Sequence, residues 1–484
     1  MQPTRLACLV LALVARTAFA QLAPSTEDNI HAVETGLGPR VVIAGQPPIR
    51  RGMLDEMQRL HVPAVSIAVI HNGQIEWARG YGITREGGAP VTPDTLFQAA
   101  SISKSLTAMA ALHLVEQDKL SLDAPIQTEL KSWTLPQNAF TAKTPVTLRE
   151  LLSHTAGTSV HGFPGYAAGK PVPTLVQILN GEKPANSAPI VVAKAPNTEF
   201  SYSGGGFTIV QQAMIDATGK PFPEILKTLV VDPLGLHHSA YQQPISPALL
   251  PQVAMPVDAQ GKPTPGGPHT YPELAAAGLW TTPSDLARWV IEMQQSLAGH
   301  ANHVLSRAMT QTMLTSVKED YGLGVETQAA AGKPSFSHSG ANEGYRCIYF
   351  AYQSGDGVVI MTDSDNGGLM QGEILNTIAR VYGWPDFAPT LRTVVAVPLA
   401  QQTPFVGRFQ AKDAFSFEIT AAPEYLEISI AGQPASRLFS ASSTSFFVTE
   451  SMLQMSFDTP DRGVLTFGEQ KIPFERVKPA GKSN

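Results

Sequence analysis

The stretch that decides the fold is Ser101-Ile102-Ser103-Lys104-Ser105-Leu106-Thr107-Ala108. Residues three apart share one face of a helix, so Ser101 Oγ and Lys104 Nζ can meet if a helix opens here. A lysine desolvated at a helix start loses part of its proton affinity and can activate a neighbouring hydroxyl. By itself the pattern is weak, since roughly one chance Ser-x-x-Lys is expected in a chain this long. The plain alternative is a capped helix start with a solvated lysine. The helical pattern continues to about Gln117, with Leu106, Met109, Ala110, His113 and Leu114 near one face.

Upstream, Val65 to Ile70 and Ile75 to Gly80 read as strands. Asn72-Gly73 between them fits a type I′ turn, which needs positive φ at both central positions. Downstream, Thr147-Leu148-Arg149-Glu150 is a capping box ahead of Leu151-Leu152. A helix is expected from about Gly206 to Thr218, stopped by Gly219. Thr282-Pro283-Ser284-Asp285 supplies a cap, a first-turn proline and an acid for a helix over Leu286 to Gln295. Helices between strand pairs predict an α+β fold, an antiparallel sheet with helices around it.

The chain has 484 residues, 43% hydrophobic and 15% charged, enough to bury a large core. Both signs of charge are dispersed and no basic block occurs, which argues against nucleic acid as a partner. Residues 1–20 read as a secretory signal peptide: Arg5, an apolar run from Leu6 to Ala15, and the cleavage pattern Ala18-Phe19-Ala20. Its removal takes away Arg5 and Arg16 but no acid, and so moves the side-chain charge from −6 to −8. The expected location is a periplasm or the medium. No other stretch is long and apolar enough to predict a membrane span. Cys8 lies in the signal, leaving Cys347 alone, so no intrachain disulfide is expected. Cys347 falls in an apolar strand pattern and reads as a small core residue.

After about Trp384 the composition changes. Pro385, Pro389, Pro398 and Pro404 interrupt the chain, and alternation replaces helical periodicity at Leu426, Ile428 and Ile430. Phe446 to Val448, Leu453 to Phe457 and Val464 to Phe467 follow at hairpin spacing. The expected organisation is signal 1–20, a main domain 21–385, a linker 386–401 and a small all-β domain 402–484.

Two further motifs follow Ser101-x-x-Lys104: Tyr202-Ser203-Gly204 and His338-Ser339-Gly340. In this order and spacing they resemble the penicillin-recognising serine hydrolases, namely class C β-lactamases, DD-peptidases and their esterase relatives. Leu151-Leu152-Ser153-His154-Thr155-Ala156-Gly157, Pro233-Leu234-Gly235-Leu236 and Gly278-Leu279-Trp280-Thr281-Thr282-Pro283 resemble the family's connecting segments. The likeness covers about residues 45–380, and the tail resembles the lipocalin-like domain found after some members.

The resemblance implies a β-lactamase/transpeptidase-like fold with an all-helical subdomain, followed by a small β-barrel. It implies no metal or organic cofactor. Carried over, Ser101 is the acylated nucleophile, Lys104 its base, and Tyr202 the proton relay to the leaving group and the deacylating water. His338, Gly340 and Ala341 lie on the substrate-binding strand, and the backbone N–H groups of Ser101 and Ala341 form the oxyanion hole. The partner is a small-molecule or peptide substrate, with the oligomeric state left open.

Two positions depart from class C enzymes. Gly204 stands where they carry Asn, which removes a side-chain donor, and His338 stands where they carry Lys. Histidine is mostly neutral near pH 7, so a carboxylate-binding cation is lost. Arg346 either replaces it or points away. Relatives with His in this motif are often aminopeptidases or esterases. The expectation is therefore an exported hydrolase of small amides, peptides or esters. The alternatives are a true β-lactamase or penicillin-binding DD-peptidase, and a non-catalytic binder of cell-wall fragments. The Pro- and Gly-rich segment Gly157 to Asn197 is expected to shape the pocket mouth.

Other motifs read blandly. His154 fixes a loop through hydrogen bonds. Gly204-Gly205-Gly206 lacks the Lys and Ser/Thr of a phosphate loop and suits tight packing. Asp363 to Gly367 mimics the start of a calcium loop but lacks its closing glutamate and suits a strand-to-helix turn. No G-x-S-x-G or H-E-x-x-H occurs.

Overall fold

The computed structural model describes residues 25–328, 332–412, 415–430, 435–468 and 470–477. The expected signal peptide lies outside them. No helix of the described residues is long and apolar enough to cross a membrane.

Six strands form an antiparallel sheet. They are β1 (Ala64–His71), β2 (Gln74–Gly82), β3 (Glu326–Gln328), β4 (Ser335–Asn342), β5 (Tyr345–Tyr352) and β6 (Gly357–Thr362). Their order in space is β2-β1-β6-β5-β4-β3. The β1–β2 turn is as the sequence predicts, with Asn72 at φ 52° and Gly73 at φ 73°. Along β1, Ala64, Ala68 and Ile70 face one hydrophobic cluster, and Val65, Ile67 and Val69 face another. Period-two alternation thus buries both faces, which is why β1 reads as an almost continuous apolar run.

The first cluster holds helices α1 (Ser103–Glu116), α2 (Leu148–Leu152), α3 (Gly204–Thr218), α4 (Leu274–Ala277) and α5 (Pro283–Ala298). The capping box at Thr147 and Glu150 is formed. Gly219 ends α3 at φ 68°, and Thr282 Oγ accepts from the Asp285 N–H at 3.2 Å to open α5. The second face is covered by α6 (Gly367–Val381), which leaves β6 through the Asp363 to Asn366 turn.

Helix α1 departs from the expected pattern in two ways. A 3-10 turn at Ala100–Ile102 precedes it, so Ser101 stands before the helix proper. Instead of one apolar stripe, every residue from Ser103 to Leu112 is buried. The helix runs through the interior between sheet and helical subdomain, where all sides meet protein.

The tail is a closed eight-stranded barrel, β7 to β14: Gly407–Ala411, Ser416–Ala421, Leu426–Ile430, Ser436–Ser440, Ser445–Phe447, Leu453–Thr459, Arg462–Phe467 and Gln470–Arg476. It has its own core, rich in phenylalanine: Phe405, Phe409, Phe417, Phe446, Phe457 and Phe474. Closure leaves no sheet edge exposed. The segment expected as a linker contains a short strand, Thr390–Arg392, paired in parallel with Val41–Ile43. Val41 and Ile43 pack on Phe447, so the chain's start and its barrel share a small cluster.

Candidate active site

The nucleophile turn is held in a strained shape. Ala100, directly before Ser101, has φ 49°, a left-handed conformation that L-residues adopt at a cost of about 1–2 kcal/mol. Several bonds over-determine it. Ser103 Oγ donates to the Ala100 carbonyl at 2.5 Å and accepts from the Leu279 N–H at 3.0 Å. Ala99 N–H donates to the Leu279 carbonyl at 2.9 Å, and the Tyr241 hydroxyl donates to the Ser103 carbonyl at 2.9 Å.

Lys104 Nζ lies 3.0 Å from Ser101 Oγ and donates to the Ala276 carbonyl at 2.8 Å. It also lies 5.0 Å from the centre of the Tyr202 ring and 5.7 Å from that of Phe207. The side chain is buried with no carboxylate partner among the described residues, and desolvation pulls its pKa down to about 7.

Tyr202 sits just before α3. Ser203 caps that helix, with Oγ accepting from the Gly206 N–H at 3.0 Å and donating to the Ser159 carbonyl at 2.7 Å. The Ser203 N–H donates to His154 Nδ1 at 3.1 Å, and the His154 ring lies 4.2 Å from the Tyr202 ring. Burial raises the Tyr202 phenol's pKa, and the adjacent Ser101 hydroxyl opposes that rise.

His338 is locked as a neutral imidazole. Nδ1–H donates to the Ser339 carbonyl at 2.6 Å, and Nε2 accepts from the Tyr321 hydroxyl at 3.1 Å. Burial, helped by the Lys104 charge, pulls its pKa down to about 3. Arg346 is engaged elsewhere. It pairs with Asp365 at 2.9 Å and donates to the Asn342 and Tyr345 carbonyls. It does not line the cavity.

Ser101, Lys104, Tyr202, His338 and Ala341 thus surround one cavity of about 370 Å³. Gly340 stands behind its wall. A Cβ there would come within 2.2 Å of the Ala99 carbonyl and 2.5 Å of Cys347 Sγ, so this glycine lets β4 press against the nucleophile turn. Cys347 is buried in that contact, as expected of a core residue. Gly204 lines the cavity, and a Cβ on it would meet Phe163 at 3.0 Å, so that ring occupies space a larger residue would need.

The cavity also takes in residues that no motif marked: His161, Gly162, Phe163, Ala276, Glu326 and Asn342. The first three belong to the Gly157 to Asn197 segment. They directly follow Val160, whose φ of 65° is an outlier for a β-branched residue. The β4 edge is paired by β3 only over Ser335 to Ser337, and beyond that no strand of the described residues covers it on this side.

A half-buried serine at hydrogen-bond distance from a buried lysine, between an antiparallel sheet and a helical subdomain, defines a β-lactamase/transpeptidase-like fold. The β-lactamase family profile matches residues 50–379, and the chain belongs to that family. It is 27% identical over 372 residues to penicillin-binding protein 4 of Amycolatopsis lactamdurans, covering 70% of this chain and 92% of that protein. It is 31% identical over 194 residues to esterase EstB of Burkholderia gladioli, covering 38% of this chain and 48% of the esterase. Among solved structures, the octameric penicillin-binding protein homologue from Pyrococcus abyssi superposes with TM-score 0.60 at 20% identity, covering 87% of this chain and 98% of the other. The protein is a serine hydrolase of this family, followed by a C-terminal barrel.

Proposed function

We propose that the protein hydrolyses small esters or amides through an acyl-enzyme on Ser101. The observation that carries this reading is Lys104 Nζ at 3.0 Å from Ser101 Oγ, with burial of the amine lowering its pKa to about 7. A lysine so placed is a competent base at neutral pH. It takes the Ser101 proton as Oγ attacks the carbonyl carbon. Tyr202, beside both groups, passes a proton to the leaving group and later draws one from the deacylating water. The backbone N–H groups of Ser101 and Ala341 are assigned to the oxyanion, a role typically worth about 3 kcal/mol per donor.

The missing cation argues against an efficient β-lactamase or DD-peptidase. His338 is neutral with both ring nitrogens engaged, and Arg346 is bonded to Asp365. The likeness to an esterase supports the ester reading. The signal-like residues 1–20 support export to a periplasm or the medium.

Intact mass after treatment with a fluorophosphonate, and separately with a penicillin, tests the reading against a Ser101→Ala control. The expected result is a Ser101-dependent fluorophosphonate adduct and little or no penicillin adduct. No fluorophosphonate adduct on folded protein overturns the reading in favour of a binder without chemistry. A rapid penicillin adduct restores the β-lactam alternative.

A further inference from the structure

We propose that Glu326 makes this site discriminate by the charge of the leaving group, rejecting carboxylates and favouring neutral or ammonium-bearing groups. The inference rests on the serine-hydrolase reading of Ser101 given above.

Glu326 is the first residue of β3, opposite Ser337 of β4. The uncovered β4 edge, His338 to Asn342, begins where β3 stops, so Glu326 stands at one end of that open edge. Ser337 Oγ donates to Glu326 Oε2 at 3.0 Å and so anchors the carboxylate. Glu326 lines the same cavity as Ser101, Lys104, Tyr202 and His338, with part of its surface open to solvent; the surrounding protein raises its carboxyl's pKa and the Ser337 bond opposes that rise. Among the described residues no arginine, lysine or histidine forms an ion pair with it.

Its position relative to Tyr202 assigns the side of the substrate it meets. Glu326 is held by Ser337, the residue before His338, and the His338 ring centre lies 6.3 Å from that of Tyr202. In acylation the Ser101 Oγ–C bond forms and the bond from that carbon to the leaving group breaks. The departing oxygen or nitrogen then takes up a proton through Tyr202. The leaving group therefore lies over Tyr202, on the Glu326 side of the cavity. Among the described residues, the only lysine or arginine lining the cavity is Lys104, which is buried and committed to Ser101 and the Ala276 carbonyl. A carboxylate on the leaving group thus meets the Glu326 charge and no free lysine or arginine, the exposed imidazole of His161 being the one other basic side chain among the described residues that line the cavity besides His338. An ammonium meets an unpaired carboxylate.

The test uses phenyl esters of one acyl group that differ only at the meta position of the leaving phenol: carboxylate, methyl or ammoniomethyl. At pH 8, well above the ordinary carboxylate range, wild-type kcat/KM is expected to rise in that order, by about tenfold or more from end to end. Each variant's methyl ester serves as its internal reference. Glu326→Gln is expected to collapse the spread, and Glu326→Lys to invert it. Because Glu326 is partly open to solvent, added salt narrows the wild-type spread. Ser337→Ala keeps the charge and so keeps the order of the three esters. An unchanged spread in Glu326→Gln overturns the proposal while leaving the hydrolase reading intact. If no ester is turned over and fluorophosphonate does not label Ser101, the hydrolase reading fails and this proposal fails with it.

Discussion

The Tyr321 hydroxyl donates to His338 Nε2 at 3.1 Å, and this bond sets the character of the pocket. The other ring nitrogen donates to the Ser339 carbonyl, so both are occupied while the ring is uncharged. Protonating Nε2 would force the Tyr321 hydroxyl to turn from donor to acceptor and place a second cation near Lys104 in a buried site. Class C relatives carry a lysine here to hold a carboxylate, and His338 cannot do so in this state.

Replacing His338 by lysine is therefore expected to raise the rate of Ser101 acylation by a penicillin by about tenfold or more, the worth of one charged hydrogen bond at roughly 1.5–3 kcal/mol. Time-resolved intact mass reads it. No gain would show that Gly204 or Glu326, rather than the missing cation, excludes β-lactams.

Lys104 predicts a pH dependence of both activity and stability. Acylation is expected to rise with pH through about 7 as the amine loses its proton. For stability, the folded pKa of about 7 lies below the ordinary value of 10.5. Between these values the unfolded chain binds the extra proton, so this residue's contribution rises with pH across that window. Lys104→Met is expected to abolish fluorophosphonate labelling and to raise the melting temperature at pH 7. Its stabilising advantage should shrink as the pH approaches 10. An advantage independent of pH would refute the buried-amine account.

His154 predicts a positioning effect. Its Nδ1 accepts the Ser203 N–H, and its ring walls Tyr202 at 4.2 Å. His154→Ala leaves that buried N–H without an acceptor, at a cost of about 1–3 kcal/mol. The expected outcome is a lower melting temperature together with a reduced kcat at little-changed KM. Normal kcat in folded His154→Ala would confine the residue to stability.

Gly340 predicts intolerance of any side chain. A Cβ would sit 2.2 Å from the Ala99 carbonyl, one residue before the strained Ala100. Gly340→Ala is expected to lose both thermal stability and Ser101 labelling, because β4 or the nucleophile turn must shift. Circular dichroism melts and fluorophosphonate labelling check it. Full labelling at wild-type stability would show that the turn has slack.

Most of the frame was legible in local sequence signals. Turn chemistry at Asn72-Gly73, caps at Thr147 and Thr282, and the stop at Gly219 are local devices, and each forms where local rules put it. The alternating tail became a barrel for the same reason. Ser101, Lys104 and Tyr202 were legible because their order matched a family pattern, and tertiary structure then brought them around one cavity. Quantities set by neighbours distant in sequence emerged only once the chain was folded. Burial on all sides of α1 sets the Lys104 proton affinity, and a tyrosine on another segment keeps His338 neutral. An aspartate beyond β6 takes Arg346 away from the pocket. Glu326, His161 and Asn342 carry no motif, and they reach the site only because sheet register and a strained loop bring them there. Local propensity places elements, but the field inside a pocket is a sum over groups that the chain order does not bring together.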